Sequence, residues 1–276
     1  MSSDNKLTVL RYPGGKQRHL SYFAHILRNP EHRWQRYVEP FLGGGSVFFF
    51  VNPENALLSD KNQELIDLYR GIRDYPQEVW ESYQKFPNTK RGYYSIRSWI
   101  IEDLDIPTKA ARTLYLNRTC FKGMWRHNAN GEFNVGYGGQ DRRWAISESD
   151  LSDVSARLNT ADLQCGDFDT VIKRCKKDDL LFLDPPYRPG AREELNAHYG
   201  YGQFMFDDQK RLAKSLIAAS RRGVKWVMTN SNHPDILDLY HVFFQYPLEK
   251  GTGRSIGRIT GSTGEVVIHN LREVVA

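Results

Sequence analysis

Only three cysteines stand in the 276 residues, Cys120, Cys165 and Cys175, an odd number without paired spacing. They offer no disulfide framework and no zinc pattern, and such sparse use points to a reducing compartment, the cytoplasm. The eight histidines are scattered. No His-Glu-x-x-His or similar spacing occurs, so no metal is expected. Long apolar runs are missing too. The strongest, Val47 to Val51, is far too short to span a bilayer, and the mean hydropathy is -0.60. Met1 to Lys6 places no apolar stretch behind a positive start, so no secretory signal is expected. Internal repeats and low-complexity tracts are absent.

What is present is ordinary in bulk: 40% hydrophobic and 26% charged residues, as in globular proteins. The length suits one large α/β domain, or a catalytic domain with a smaller insert. The net charge of +5 is only a weak pointer to a polyanionic partner. Its distribution says more. Lys109, Arg112, Arg118, Lys122, Arg126, Arg142 and Arg143 face two acids, Glu132 and Asp141, so this one segment carries an excess equal to that of the whole chain.

Short apolar runs ending in polar or turn residues read as buried strands. Tyr37-Val38-Glu39 runs into a Gly-rich turn, Ala56 to Ser59 ends at Asp60, Leu180 to Leu183 ends at Asp184, and Trp226 to Met228 ends at Thr229-Asn230. Val242 to Phe244 and Val266 to Ile268 suit a hairpin pair. Helical spacing marks Gln17 to Leu27 and Gln209 to Ala219, the latter with Asp207 as its N-cap. Strands alternating with helices predict an α/β fold, a mostly parallel sheet with helices on both faces, and functional residues at the strands' C-terminal ends. Residues 65–160 lack such apolar strands. Helical material (Glu64 to Ile72, Gln77 to Lys85) gives way to Tyr-rich segments and a Gly- and Asn-rich stretch, Asn128 to Gly139. The expected division is a catalytic domain of 1–64 and 161–276, with 65–160 as a mostly helical insert carrying a β-hairpin or loop.

Two elements carry chemistry. In Glu39-Pro40-Phe41-Leu42-Gly43-Gly44-Gly45-Ser46 a strand meets a Gly-rich turn that lets a ligand approach the backbone. Asp60, 17 residues after Gly43, can accept hydrogen bonds from ribose hydroxyls. No Gly-Lys-Ser/Thr follows, which disfavours a triphosphate loop. The sharper element is Asp184-Pro185-Pro186-Tyr187. Two prolines stiffen the backbone and remove two N–H donors, Asp184 supplies an ionised acceptor, and Tyr187 supplies a stacking face. The set suits a planar amine. Hydrogen bonds from that amine to Asp184 and a Pro185 carbonyl would favour a pyramidal nitrogen whose lone pair can attack a methyl donor.

The ordered set of motifs resembles the Dam-type family of N6-adenine DNA methyltransferases over most of the chain. It comprises Arg11-Tyr12-Pro13-Gly14-Gly15-Lys16, Pro40 to Ser46, Leu58-Ser59-Asp60, Leu116 to Phe121, Gly131 to Val135, Gly166-Asp167-Phe168 and Asp184 to Tyr187. The resemblance implies a Rossmann-like, S-adenosylmethionine-dependent sheet. It implies that Tyr12, Lys16, Asp60 and Asp184 contact the cofactor, that Pro40, Phe41 and Gly43 form its loop, and that Asp167 and Phe168 lie near its adenine. Asp184, Pro185, Pro186 and Tyr187 become the catalytic tetrapeptide.

The basic segment then reads as a reader of double-stranded DNA. Basic side chains neutralise phosphates, and its aromatics, Tyr115, Phe121, Trp125, Phe133 and Tyr137, can wedge or stack beside an extruded base. Arg126 suits guanine O6 and N7. The candidate DNA contacts are Arg11, Arg118, Lys122, Arg126, Asn134 and Tyr137. Lys250 to Gly264, with Arg254 and Arg258, is a second candidate for phosphate. Lys122 and Gly136 replace the Asn and Pro usual in members that recognise GATC, so the implied target is GATC or a related short site. The implied enzyme acts as a monomer, without metal or membrane, in the cytoplasm of a bacterial or phage-infected cell. The competing readings are methylation of adenine in RNA, methylation of another planar amine such as a glutamine amide, and a non-catalytic DNA-binding protein on the same fold.

Overall fold

The computed structural model describes residues 7, 9–11, 16–27, 32–128, 131–139, 146–187, 204–248 and 264–271. Tyr12, Arg142, Arg143, Arg254 and Arg258 lie outside these residues. Seven strands build one sheet: β1 (Arg36–Glu39), β2 (Ala56–Asp60), β3 (Ala161–Cys165), β4 (Asp179–Leu183), β5 (Lys225–Ser231), β6 (Phe244–Pro247) and β7 (Glu265–His269). Their order is β3-β2-β1-β4-β5-β7-β6. The pairs among β1 to β5 are parallel, and β7 runs antiparallel to both β5 and β6. This is a Rossmann-like α/β sheet. Strand order reverses between β1 and β4, where such folds open a crevice beyond the carboxyl ends.

Successive strand residues face opposite sides, and both sides are covered. Tyr37, Leu58, Leu180, Phe182, Val227 and Val267 join one apolar cluster, while Val38, Leu57, Leu181, Leu183, Trp226 and Ile268 join the other. That double burial is why β1, β2, β4 and β5 read as unbroken apolar runs. Each fully buried Leu, Val or Phe contributes about 1.5–3 kcal/mol of transfer free energy.

The helices are α1 (Leu20–Leu27), α2 (Ser46–Val51), α3 (Gln63–Asp74), α4 (Pro76–Lys85), α5 (Lys90–Arg97), α6 (Ile106–Thr119), α7 (Glu148–Leu158), α8 (Phe168–Arg174), α9 (Phe206–Arg221) and α10 (Pro234–Leu239). The segment read as one helix from Gln17 opens instead with a 3-10 turn, Lys16–His19, before α1. The N-cap of α9 is Met205 rather than Asp207. The helix begins at Phe206, before the Gln209 that its apolar spacing marks, so Asp208 is the acid placed to accept from the Met205 N–H, at 3.0 Å. The C-terminal pair forms as expected, but β6 starts at Phe244.

The segment 65–160 holds α4 to α7 and most of α3, with no strand among its described residues. Residues 119–128 and 131–138 run as the two arms of a hairpin-like loop, joined by single bridges between Cys120 and Tyr137 and between His127 and Phe133. The segment shares one apolar cluster with the sheet. Arg70 and Arg73 of α3 donate to the carbonyls of Leu163 and Ala161 on β3, which ties α3 to the sheet edge.

Candidate active site

At the end of β1, Gly43 and Gly45 take φ of 47° and 65°, a conformation that L side chains rarely adopt. The turn places the Gly43 amide 2.9 Å from Asp60 Oδ2, while Asp60 Oδ1 accepts from the Asn62 amide at 2.9 Å. The Tyr69 hydroxyl of α3 donates to the Gly43 carbonyl at 2.9 Å. Asn62 caps α3 by accepting from the Glu64 and Leu65 amides. The loop and the Asp60 carboxylate therefore hold each other. Burial raises the Asp60 pKa, and the Gly43 and Asn62 amides oppose that rise.

Asp184 stands at the end of β4. Its Oδ1 accepts from Lys16 Nζ at 2.9 Å and from Thr229 Oγ1 of β5 at 2.6 Å. Both bonds converge on one carboxylate oxygen. The same ammonium sits 4.9 Å from the centre of the Tyr187 ring, and burial pushes the Tyr187 hydroxyl well above its ordinary pKa. The Pro186 carbonyl is engaged by Gln209 Nε2 of α9 at 2.9 Å, and Gln209 Oε1 accepts from Asn230 Nδ2 of β5 at 3.0 Å. The tetrapeptide is thus braced from two neighbouring elements.

Glu39 lies at the end of β1, only 3% exposed. It accepts from the Tyr37 hydroxyl at 2.8 Å. Burial pushes its carboxyl up to about 8, and the neighbouring charges of Asp184 and Asp60 add to the rise. Three carboxyls thus stand at the carboxyl ends of the adjacent strands β2, β1 and β4, near enough for the charges of Asp60 and Asp184 to act on Glu39, with the Lys16 ammonium bonded to Asp184. That donor set fits a ligand carrying positive charge and hydroxyl donors. Phe41 stacks on Phe168 with ring centres 5.3 Å apart, and Phe204 meets both at 5.8 Å. Arg211 of α9 covers the Phe168 ring at 4.5 Å and pairs with Asp167 at 2.8 Å. At that spacing no planar base fits between Phe41 and Phe168.

The hairpin-like loop exposes a second set. Arg126 is exposed, and its Nε donates to Asn134 Oδ1 at 2.9 Å. Phe121 is 49% exposed with Lys122 Nζ 5.1 Å from its ring centre. Lys122 itself takes φ of 57°. Next to it Gly123, at φ 65°, is required: a Cβ there would lie 2.6 Å from Arg11 Cβ. Asn117 of α6 clamps the Arg11 backbone through two bonds of 2.8 Å, so Arg11 stands beside this loop.

A profile of the D12 class of N6 adenine-specific DNA methyltransferases matches residues 12–252. This chain belongs to that class. It is 36% identical over 244 residues to a DNA N-6-adenine-methyltransferase of Escherichia phage P1, covering 85% of this chain and 31% of that protein. It therefore spans about a third of the phage relative's length. It is 30% identical to the type II methyltransferase M1.LlaDCHI of Lactococcus lactis subsp. cremoris, covering 93% of this chain and 91% of that protein. It is also 30% identical to the type II methyltransferase M.MjaIII of Methanocaldococcus jannaschii, covering 85% of this chain and 88% of that protein.

In this D12-class methyltransferase Lys16 meets Asp184, Gly43 meets Asp60 and Phe41 meets Phe168, all beyond the carboxyl ends of the parallel strands. Among the described residues no group of His, Cys, Asp and Glu could hold a metal ion, and no helix is long and apolar enough to cross a membrane.

The aromatic reading needs correction. Tyr115, Trp125 and Phe133 are buried, and Tyr137 packs its ring 5.4 Å from Tyr93. Of the five aromatics expected to wedge or stack, only Phe121 is exposed. Arg118 is corrected as well. It is 5% exposed, and its guanidinium donates to the Val9 carbonyl, tying the N-terminal segment to α6. Burial lowers its pKa to about 10. An arginine so enclosed has no phosphate within reach.

Thr229, Gln209 and Asn230, which hold the tetrapeptide, were not foreseen. Nor were Tyr94 and Arg97 of α5, where Arg97 stacks on Tyr94 and donates to the Val135 carbonyl of the loop at 3.0 Å.

Proposed function

We propose that this methyltransferase moves a methyl group from S-adenosylmethionine to N6 of an adenine extruded from duplex DNA. The observation that supports it best is the convergence of Glu39, Asp60 and Asp184 at the strand-order switch, beside a proline-stiffened tetrapeptide. When bound, S-adenosylmethionine supplies an electrophilic methyl on a sulfonium. Asp60 is the acceptor for ribose hydroxyls, and Glu39 offsets positive charge once it gives up its proton. The Phe41–Phe168 pair offers an outer face to the cofactor adenine, with Asp167 and Tyr12 as further contacts.

Asp184 Oδ1 is held by Lys16 and Thr229, which leaves Oδ2 to accept one N6–H. The Pro186 carbonyl is occupied by Gln209, so the Pro185 carbonyl is the second acceptor. Tyr187 stacks on the target ring. These acceptors favour the pyramidal amine, and fixed positioning lowers the barrier further.

Residues 65–160 act as the target-reading segment. Arg126 keeps its two terminal nitrogens for a guanine edge while Nε is held by Asn134. Arg11 and Lys122 meet phosphate, and Phe121 is the wedge that helps offset extrusion, which costs a few kcal/mol. One chain carries both pocket and loop, in keeping with action as a monomer.

Incubation with tritiated S-adenosylmethionine and separate DNA, RNA and protein substrates tests the reading. Label is expected in duplex DNA, as N6-methyladenine. Label confined to RNA or protein would remove the DNA assignment. Asp184→Ala should lower transfer by about a thousandfold in a protein that still melts cooperatively. Near-wild-type transfer by that variant would refute the role of Asp184.

A further inference from the structure

Beneath the exposed face of the target-reading loop lies a buried cluster of charged and polar groups that the reaction does not use. Glu64, in the first turn of α3, divides its carboxylate between two elements. Oε1 accepts from Arg112 of α6 at 3.2 Å, and Oε2 is 2.7 Å from His127 Nε2 in the loop. Glu64 is 8% exposed, and Arg112 and His127 are each 2% exposed. Arg112 also donates to the carbonyls of Ile96 and Arg97, at the C-terminal end of α5.

The cost of burying such a group is high, and well-packed apolar side chains of equal volume often serve stability as well or better. What such a polar cluster adds is a fixed placement, because a buried donor or acceptor drawn away from its partners is left unsatisfied. The placement matters here because of what adjoins His127. Its ring packs against both Trp125 and Phe133, with ring centres 5.6 Å from each, and its backbone bridges Phe133 across the loop. Neighbouring residues of an extended strand face opposite sides. With His127 drawn inward, Arg126 is turned outward, and the Asn134 amide closes on the Arg126 carbonyl at 3.1 Å. The pair that aims Arg126 thus begins on the helix whose N-cap, Asn62, bonds Asp60.

We propose that Glu64 and His127 form a positioning pair for the target-reading loop: by holding His127 inside they fix the aim of Arg126, and so set how strictly the base beside the target adenine is read. The proposal rests on Arg126 being the base reader.

The test begins by mapping the methylated site in DNA modified in vitro. Methyl transfer is then measured on a duplex carrying that site and on duplexes altered one base pair at a time. Arg126→Ala should lower the ratio of kcat/KM between the mapped and altered duplexes by about ten- to a hundredfold at one position. His127→Phe should lower it at the same position by about threefold or more, through KM for DNA, with kcat on the mapped duplex unchanged. In the Arg126→Ala background it should add nothing. His127→Gln, which keeps an N–H donor near the place of Nε2, should restore discrimination.

Should His127→Phe yield no folded protein, Glu64→Gln carries the same expectation, since it keeps the size and one acceptor but weakens the pair. A His127→Phe protein with full discrimination, or effects that multiply in the double variant, would overturn the proposal while leaving Arg126 as reader. Unchanged discrimination in Arg126→Ala itself would instead defeat the base-reading assignment, and the proposal with it.

Discussion

Glu39 makes stability depend on pH in a direction and amount that can be worked out. Burial is the main cause that moves its carboxyl from an ordinary 4.5 to about 8, the Tyr37 hydroxyl and the Phe48 amide working against the rise. The unfolded chain releases this proton near its ordinary value, whereas the fold keeps it until about pH 8. Between the two the fold binds more protons, so stability falls as pH rises. Below the lower value the carboxyl is neutral in both states and costs nothing. The loss is about 1.4 kcal/mol for each pH unit and reaches on the order of 5 kcal/mol across the interval. That is comparable with the whole net stability of a modest domain, about 5–15 kcal/mol.

Glu39→Gln keeps the size and an acceptor for the Tyr37 hydroxyl, and it cannot ionise. Urea unfolding of the wild type and the variant, at steps from about pH 5 to about pH 8, should show the variant's advantage growing with pH. Asp60, also raised by burial, contributes in the same direction in both proteins. A difference that stays flat over this range would refute the reasoning. The same carboxyl should make binding of a cationic cofactor tighten with pH in the wild type and not in Glu39→Gln, a contrast that calorimetric titration can read.

Two further outcomes follow from the way the pocket and the N-terminal segment are held. Arg118→Ala should cost about 2–3 kcal/mol in urea unfolding, because it removes a buried guanidinium from the Val9 carbonyl. It should leave the salt dependence of DNA binding unaltered, and a slope of log K against log salt reduced by about 0.9 would instead put Arg118 on a phosphate. Gln209→Leu removes the donor to the Pro186 carbonyl and strands the Asn230 amide. Single-turnover methyl transfer should fall about ten- to a hundredfold, and an unchanged rate would mean that the tetrapeptide keeps its shape unaided.

The parts of the fold that could be read in advance are those whose burial is uniform. β1, β2, β4 and β5 are covered on both faces, so each shows an apolar run that stops at a polar end, and Asp60 and Asp184 stand at two of those ends. β3 escaped because it is an edge strand. Asp162 and Cys165 are exposed, and five residues of mixed character carry too little pattern. Glu39 was legible by the same sign as Asp60, an acid closing an apolar run, and it went uncounted as a site residue because the Gly-rich turn after it drew the functional reading. Gln209, Asn230 and Thr229 could not be found that way, since their roles depend on elements brought together by the sheet order.

Arg118 was not legible in this way. Every residue from Ala110 to Thr119 in α6 is buried, although Arg112, Thr113, Asn117, Arg118 and Thr119 among them are polar, so no apolar stripe marks the inward face.

The same observation changes what the basic segment means. Charge counted along a sequence is not charge presented to a polyanion. Of the arginines and lysines from Lys109 to Arg126, Arg112 and Arg118 face inward, one paired with Glu64 and the other bound to a backbone carbonyl. Only Lys122 and Arg126 of that group are exposed, Lys109 being half-buried. The inner cations do not weaken the case for a DNA reader, because they hold the frame in which the outer ones are aimed. Arg118 fixes the segment that brings Arg11 beside Gly123, and Arg112 shares Glu64 with His127, the residue next to Arg126. On the proposed reading, a recognition surface built this way needs few exposed charges, each fixed in direction, and its selectivity depends as much on the buried partners as on the residues proposed to touch the DNA.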